Sequence, residues 1–168
     1  MENLEIISLP SDQWQEYKNL RLKALKQNPE SFGQTYDKAR FRNDEEWKLL
    51  LNTSLDGQDR WLFFAKLNGQ FVGMISGTAM ESVKGGVKVQ EMFVSPEARG
   101  KGIATKLMQK LTSVLKETTD KKVLRLGVFR PQTEAVKLYQ SLGFEIIEEK
   151  IEQVPSGTHE SLIMEKKL

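Results

Sequence analysis

The chain has 168 residues, one histidine, no cysteine, and 25 basic against 23 acidic side chains, a formal net charge of +2. That length suits one domain over residues 1–168 with a single sizeable core. Without cysteine there is no thiol nucleophile, disulfide framework or structural zinc site, and the near-neutral balance gives no global pull toward nucleic acid or membrane. The first residues lack a basic segment followed by an apolar run, and no apolar stretch is long enough to span a bilayer, so a cytoplasmic protein is expected.

Leu4 to Leu9 reads as a short strand ended by Pro10. Ser11 can cap a helix whose apolar face is Trp14, Tyr17, Leu20, Ala24 and Leu25, and Asn28-Pro29 stops it. Residues 30–40 are aperiodic. A second helix follows around Asp44 to Asn52 with Trp47, Leu50 and Leu51 inward. Trp61 to Leu67 and Gln70 to Ala79 form a hairpin through Asn68-Gly69, and Gly85-Gly86 turns the chain into a strand ending at Val94. From Ile103 the period changes: Ile103, Leu107, Met108, Leu111, Val114 and Leu115 share one helical stripe, with Lys106, Lys110 and Glu117 opposite. Lys122 to Phe129 is a strand, Gln132 to Leu142 a helix stopped by Gly143, and Phe144 to Ile151 and Glu160 to Lys166 are the last strands. The expectation is one α+β domain, a mixed but mostly antiparallel sheet with helices on both faces. His159 reads as a surface residue, since no Gly-x-Ser-x-Gly elbow accompanies it.

The segment from Val89 to Ala104 carries the chemistry. Between strand and helix lie Arg99, Gly100, Lys101 and Gly102. Glycines at a helix N-terminus let backbone N–H groups approach an anion, and the helix dipole adds positive charge at the same point, so a pyrophosphate fits there. The phosphate loop of nucleoside triphosphatases needs Ser or Thr after Gly-Lys, where this chain has Gly102. The dinucleotide fingerprint needs a small residue where Thr105 stands and an acid ending the next strand, whereas Asp120 precedes it. What remains is Arg/Gln-x-x-Gly-x-Gly/Ala, filled by Arg99, Gly102 and Ala104. From Arg99 to Lys137 there are ten basic and three acidic residues; most of the lysines read as a solvated helix face.

With a second segment, Ala135-Val-Lys-Leu-Tyr-Gln-Ser-Leu-Gly-Phe144, the chain resembles the GNAT superfamily of N-acetyltransferases. The resemblance is close from Lys88 to Glu149 and general elsewhere. It implies a splay between the strands at Lys88–Val94 and Lys122–Phe129, and acetyl-CoA as co-substrate with no metal. Acetyl-CoA would be bound by Met92, Phe93, Val94, Arg99, Gly100, Lys101, Gly102, Ile103, Ala104, Thr105 and Gln132. Gln132 departs from the Asn usual in the family. A strand bulge near Met92 to Val94 would turn a backbone amide toward the thioester oxygen. Tyr139, in the Leu-Tyr position, would protonate the departing thiolate, or else be a core tyrosine. Glu91, in a strand otherwise apolar on its face, is either a base with a raised pKa or a carboxylate that binds a cationic acceptor. Phe32 and Tyr36, with Trp47, are candidate acceptor-wall residues. The implied activity is direct acetyl transfer to a primary amine of a small molecule or peptide; the alternative is a catalytically silent acyl-CoA-binding or sensor domain. Nucleic-acid binding is weakened because Phe129 is the sole aromatic of the basic segment. A homodimer is left open.

Overall fold

The computed structural model describes residues 2–168. Its seven strands form one sheet in the order β1-β2-β3-β4-β5-β7-β6. In chain order the elements are β1 (Leu4–Ile7), α1 (Trp14–Gln27), α2 (Tyr36–Arg40), α3 (Asp44–Asn52), β2 (Arg60–Leu67), β3 (Gln70–Ala79), β4 (Gly86–Val94), α4 (Ile103–Thr118), β5 (Val123–Phe129), α5 (Thr133–Ser141), β6 (Glu145–Val154) and β7 (Gly157–Lys167). β4 and β5 pair in parallel and every other neighbouring pair is antiparallel. A parallel pair needs a crossover, which α4 supplies.

The sheet has a core on each side. On one, Ile103, Leu107, Met108, Leu111 and Leu115 of α4 pack with Ile75, Val87, Leu124 and Leu126 of the strands and Tyr139 of α5. α4 can lie that close because β3 carries glycines under it. A Cβ at Gly77 would come 2.9 Å from Val87 and 3.1 Å from Leu111. On the other side, Tyr17, Leu20 and Leu25 of α1 and Trp47 and Leu51 of α3 cover Leu62, Phe64, Met74 and Phe93. Tyr17 meets Trp47 edge-on at 5.5 Å between ring centres. The expected fold class, with helices on both faces, is the one found.

Local boundaries moved for local reasons. Ser11 opens a single 3₁₀ turn, and α1 starts after Gln13 without a side-chain cap. The aperiodic stretch holds the short α2, capped by the Thr35 hydroxyl accepting from the Lys38 amide. α3 begins in a capping box, Asn43 and Glu46 each bonding the other's backbone N–H. β7 starts three residues earlier than expected because Val154 and Gly157 close a tight hairpin with β6.

β4 and β5 pair only over Gly86–Lys88 and Val123–Arg125, and beyond that point no ladder joins them. This is the splay implied by the resemblance. Its position is set partly by β4, whose register against β3 shifts between Met74 and Ser76. At the shift Glu91 has φ +53°, the left-handed region where non-glycine residues are uncommon. This is a bulge, one extra residue on β4.

Candidate active site

The splay opens a cavity of about 730 Å³, walled by β4 from Val89 to Val94, the loop into α4, the β5 residues Leu126 to Val128, the start of α5 and the segment after α1. The strand-to-helix loop builds one end. Gly100 and Gly102 have φ of +76° and +72°, and a Cβ built at either meets nothing within 4 Å. Gly102 is the N-cap of the sixteen-residue α4, whose first turn has no acidic side chain. Unpaired N–H groups of the first turn therefore face open space at the positive end of a helix dipole. A loop of this kind can accept a phosphate group, and a side chain at either glycine would meet no neighbouring atom but would sit in a backbone conformation that favours glycine.

Of the residues expected at acetyl-CoA, Met92, Phe93, Val94, Arg99, Gly100, Gly102, Ile103, Ala104, Thr105 and Gln132 all line this cavity, and so do Glu91, Tyr139 and Phe32. Lys101 is not on its wall; its ammonium pairs with the Glu2 carboxylate. Tyr36 also stands away, flanked by the charged ends of Lys26 and Arg40. Trp47 is fully buried in the α1–α3 core and forms no wall. Both α2 and α3 pack against α1, and of this region only the segment before α2 reaches the cavity.

Arg99 is braced: its Nε donates to the Val94 carbonyl at 3.0 Å and its Nη2 to Asn28 Oδ1 at 3.1 Å. Gln132 and Ser31 both line the cavity, the Gln132 Nε2 donating to Ser31 Oγ at 2.5 Å. Asn28 and Ser31 thus tie the segment after α1 to both motifs. Tyr139 is buried against Phe144, ring centres 5.9 Å apart, and burial pushes its phenol up to about 12. It is therefore protonated at neutral pH and has a proton to donate.

Glu91 departs from the expectation. Burial alone would raise its pKa, but the guanidiniums of Arg21 and Arg60, with the Tyr17 hydroxyl, outweigh burial and hold the carboxyl below its ordinary value. The distances are 3.4 Å to Arg21 Nε, 2.9 Å to Arg60 Nη2 and 2.9 Å to Tyr17 Oη. The expected raised pKa is corrected accordingly: the strand's apolar pattern could not reveal two arginines arriving from α1 and β2. No sequence signal singled out Tyr17 as more than core, or Arg21 and Arg60 at all. Asn28 was legible only as a helix stop. Among the described residues no group of three or more His, Cys, Asp or Glu could hold a metal ion.

The comparisons agree with this geometry. An uncharacterized N-acetyltransferase of Archaeoglobus fulgidus is 34% identical over 100 residues, 56% of this chain and 64% of the relative. The match thus spans less than two thirds of that curated relative. An acetyltransferase of the GNAT family from Streptococcus pneumoniae has the same fold, with a TM-score of 0.85 at 19% identity over 99% of this chain and all of the other. The spermidine N-acetyltransferase of Vibrio cholerae, solved with CoA and spermine, superposes with a TM-score of 0.77 at 17% identity over 98% and 95% of the two chains. The model of the acetyltransferase (GNAT) family matches residues 14–144 and takes in the glycine cradle and Tyr139 alike, so the chain belongs to the GNAT family of acetyltransferases.

Proposed function

We propose that the protein transfers the acetyl group of acetyl-CoA to a primary amine of a small molecule or peptide, by direct attack. The observation that carries this reading is that one cavity joins the left-handed glycine cradle at the α4 N-terminus to the buried phenol of Tyr139. When bound, acetyl-CoA supplies the thioester whose acyl group is transferred. On this reading, the backbone of the Arg99–Thr105 loop holds the diphosphate, and Arg99 adds charge from a position braced against Val94. Met92, Phe93 and Val94 flank the pantetheine arm, with Gln132 contributing its amide after leaving Ser31.

The bulge takes backbone N–H groups near Met92 out of the β3 ladder and leaves them free to stabilise negative charge on a carbonyl oxygen. Tyr139 delivers its proton to the departing sulfur. Phe32 forms part of the acceptor wall. The ammonium acceptor loses one proton to solvent water before attack; as the C–N bond forms and the C–S bond breaks, nitrogen loses a second proton, which restores the Tyr139 phenol. Glu91, held ionised by two guanidiniums, supplies charge and shape in place of a tuned base. Among the described residues no helix is long and apolar enough to cross a membrane. The reading takes the reaction to run in the cytoplasm, where acetyl-CoA is at hand.

The test is calorimetry with acetyl-CoA, followed by an acceptor panel of amines, amino acids and peptides scored by thiol release. The Vibrio cholerae relative makes spermidine and spermine natural members of the panel. Turnover of any amine supports the reading. Tight binding with no turnover across the panel favours the silent acyl-CoA-binding alternative, and no binding rejects both.

A further inference from the structure

β4 changes sides partway along its length. Val87 and Val89 pack on the α4 face, and so do Met92 and Val94, while Phe93 lies in the α1 core. The parity switch needs one extra residue, and that residue is accommodated where Glu91 sits at φ +53°. Glu gains nothing locally from a left-handed backbone, unlike Gly or Asn. Such a conformation persists only where the surroundings over-determine it.

The surroundings here are three side chains from other elements. Tyr17 Oη donates to Glu91 Oε1 at 2.9 Å, and Arg60 Nη2 reaches Oε2 at 2.9 Å and Tyr17 Oη at 3.2 Å. Arg21 Nε lies 3.4 Å from Oε1, and its guanidinium stacks on the Phe32 ring at 4.6 Å. Arg21 is buried, and the side chain of the carboxylate it serves is only 12% exposed. One arginine therefore braces two cavity walls, the β4 bulge through Glu91 and the acceptor side through Phe32. A bidentate-capable guanidinium fixes direction as well as charge, which a lysine would not.

We infer that Tyr17, Arg21 and Arg60 are positioning residues for acyl transfer: by clamping the Glu91 carboxylate they hold the β4 bulge, and hence the backbone N–H groups near Met92, in the geometry the reaction uses. The inference rests on the reading of this cavity as the acyl-transfer site. It differs from a base role for Glu91 in what it demands of the arginines, which touch no reacting atom.

The experiment compares Arg60→Met, Arg60→Lys, Tyr17→Phe and Glu91→Gln with the wild type. It measures kcat from pH 6.5 to 9.5, acetyl-CoA affinity, and amide hydrogen exchange at residues 90–93. The expected result for Arg60→Met and Glu91→Gln is a kcat at least tenfold lower at every pH, an acetyl-CoA Kd within threefold of wild type, and faster exchange at 90–93 with α4 unchanged. Arg60→Lys and Tyr17→Phe, which keep charge or ring, should show the same pattern more weakly and serve if Arg60→Met does not fold. The inference is overturned if the folded arginine variants keep wild-type kcat and wild-type exchange. It is also overturned if only Glu91→Gln is impaired and recovers at high pH, since Glu91 would then handle the proton itself. Should no acceptor be turned over by the wild type, the functional reading fails by itself, and exchange at 90–93 still decides whether the clamp holds the bulge.

Discussion

Gly102→Asp probes the cradle most directly, and its two consequences separate. At φ +72° a non-glycine residue costs roughly 1–2 kcal/mol, with Asp near the low end because its short polar side chain tolerates the left-handed region. No steric term adds to this, because a Cβ at position 102 meets nothing within 4 Å. A carboxylate beside the α4 N-terminus recovers about 0.3–1 kcal/mol through the helix dipole. The net loss is about 0–1.5 kcal/mol, a fall in Tm of up to about 5 °C for a domain of this size, so the variant folds. Binding responds differently. The new carboxylate occupies the anion's place and removes charge-assisted hydrogen bonds of about 1.5–3 kcal/mol each. Losing two of them lowers affinity about 10²- to 10⁴-fold. Titration calorimetry with acetyl-CoA, alongside a thermal melt, measures both, and Gly102→Ala reports the strain without the charge. A folded Gly102→Asp protein whose Kd stays within threefold of wild type would falsify the phosphate-cradle argument.

Tyr139→Phe should lower kcat by about 10²-fold or more while leaving acetyl-CoA affinity intact, because the hydroxyl matters only as the thiolate departs; a drop smaller than about threefold in steady-state assays would return Tyr139 to the core. Ser31→Ala frees the Gln132 amide from its partner on the cavity wall, so acetyl-CoA should bind up to about threefold more tightly by calorimetry, as befits one exposed hydrogen bond. Weaker binding would mean that Ser31 presents Gln132 to the ligand. Glu91 titrates lower in the folded chain than its ordinary 4.5, burial being outweighed by Arg21, Arg60 and Tyr17, so below that pH the unfolded chain binds more protons. Its stabilisation is complete above about pH 4.5 and is lost as pH falls through the folded-state value. Urea unfolding from pH 2.5 to 6 should show a shallower acid decline for Glu91→Gln, and equal slopes would rule the linkage out.

What the sequence determined by itself is whatever depends on neighbours in the chain. The helical stripe from Ile103 to Leu115 and the Asn68-Gly69 hairpin were legible because side-chain period and turn chemistry are local. So were the glycines before α4, read as giving backbone N–H groups access to an anion, and Gly143 as the left-handed stop of α5, where φ is +88°; that Gly100 and Gly102 are themselves left-handed came from the structure. The Tyr139 position followed from the motif around it. Tertiary structure decided what depends on distant segments meeting. Tyr36 and Trp47 looked like Phe32 in sequence, yet only the segment before α2 reaches the cavity, because layer packing buries Trp47 and turns Tyr36 toward Lys26 and Arg40. The charge state of Glu91 was likewise invisible: its strand is apolar on that face, and the guanidiniums that keep it ionised stand 70 and 31 positions earlier in the chain. Periodicity records which face a residue shows, whereas a pKa and a backbone bulge are set by the partners that the fold brings to that face.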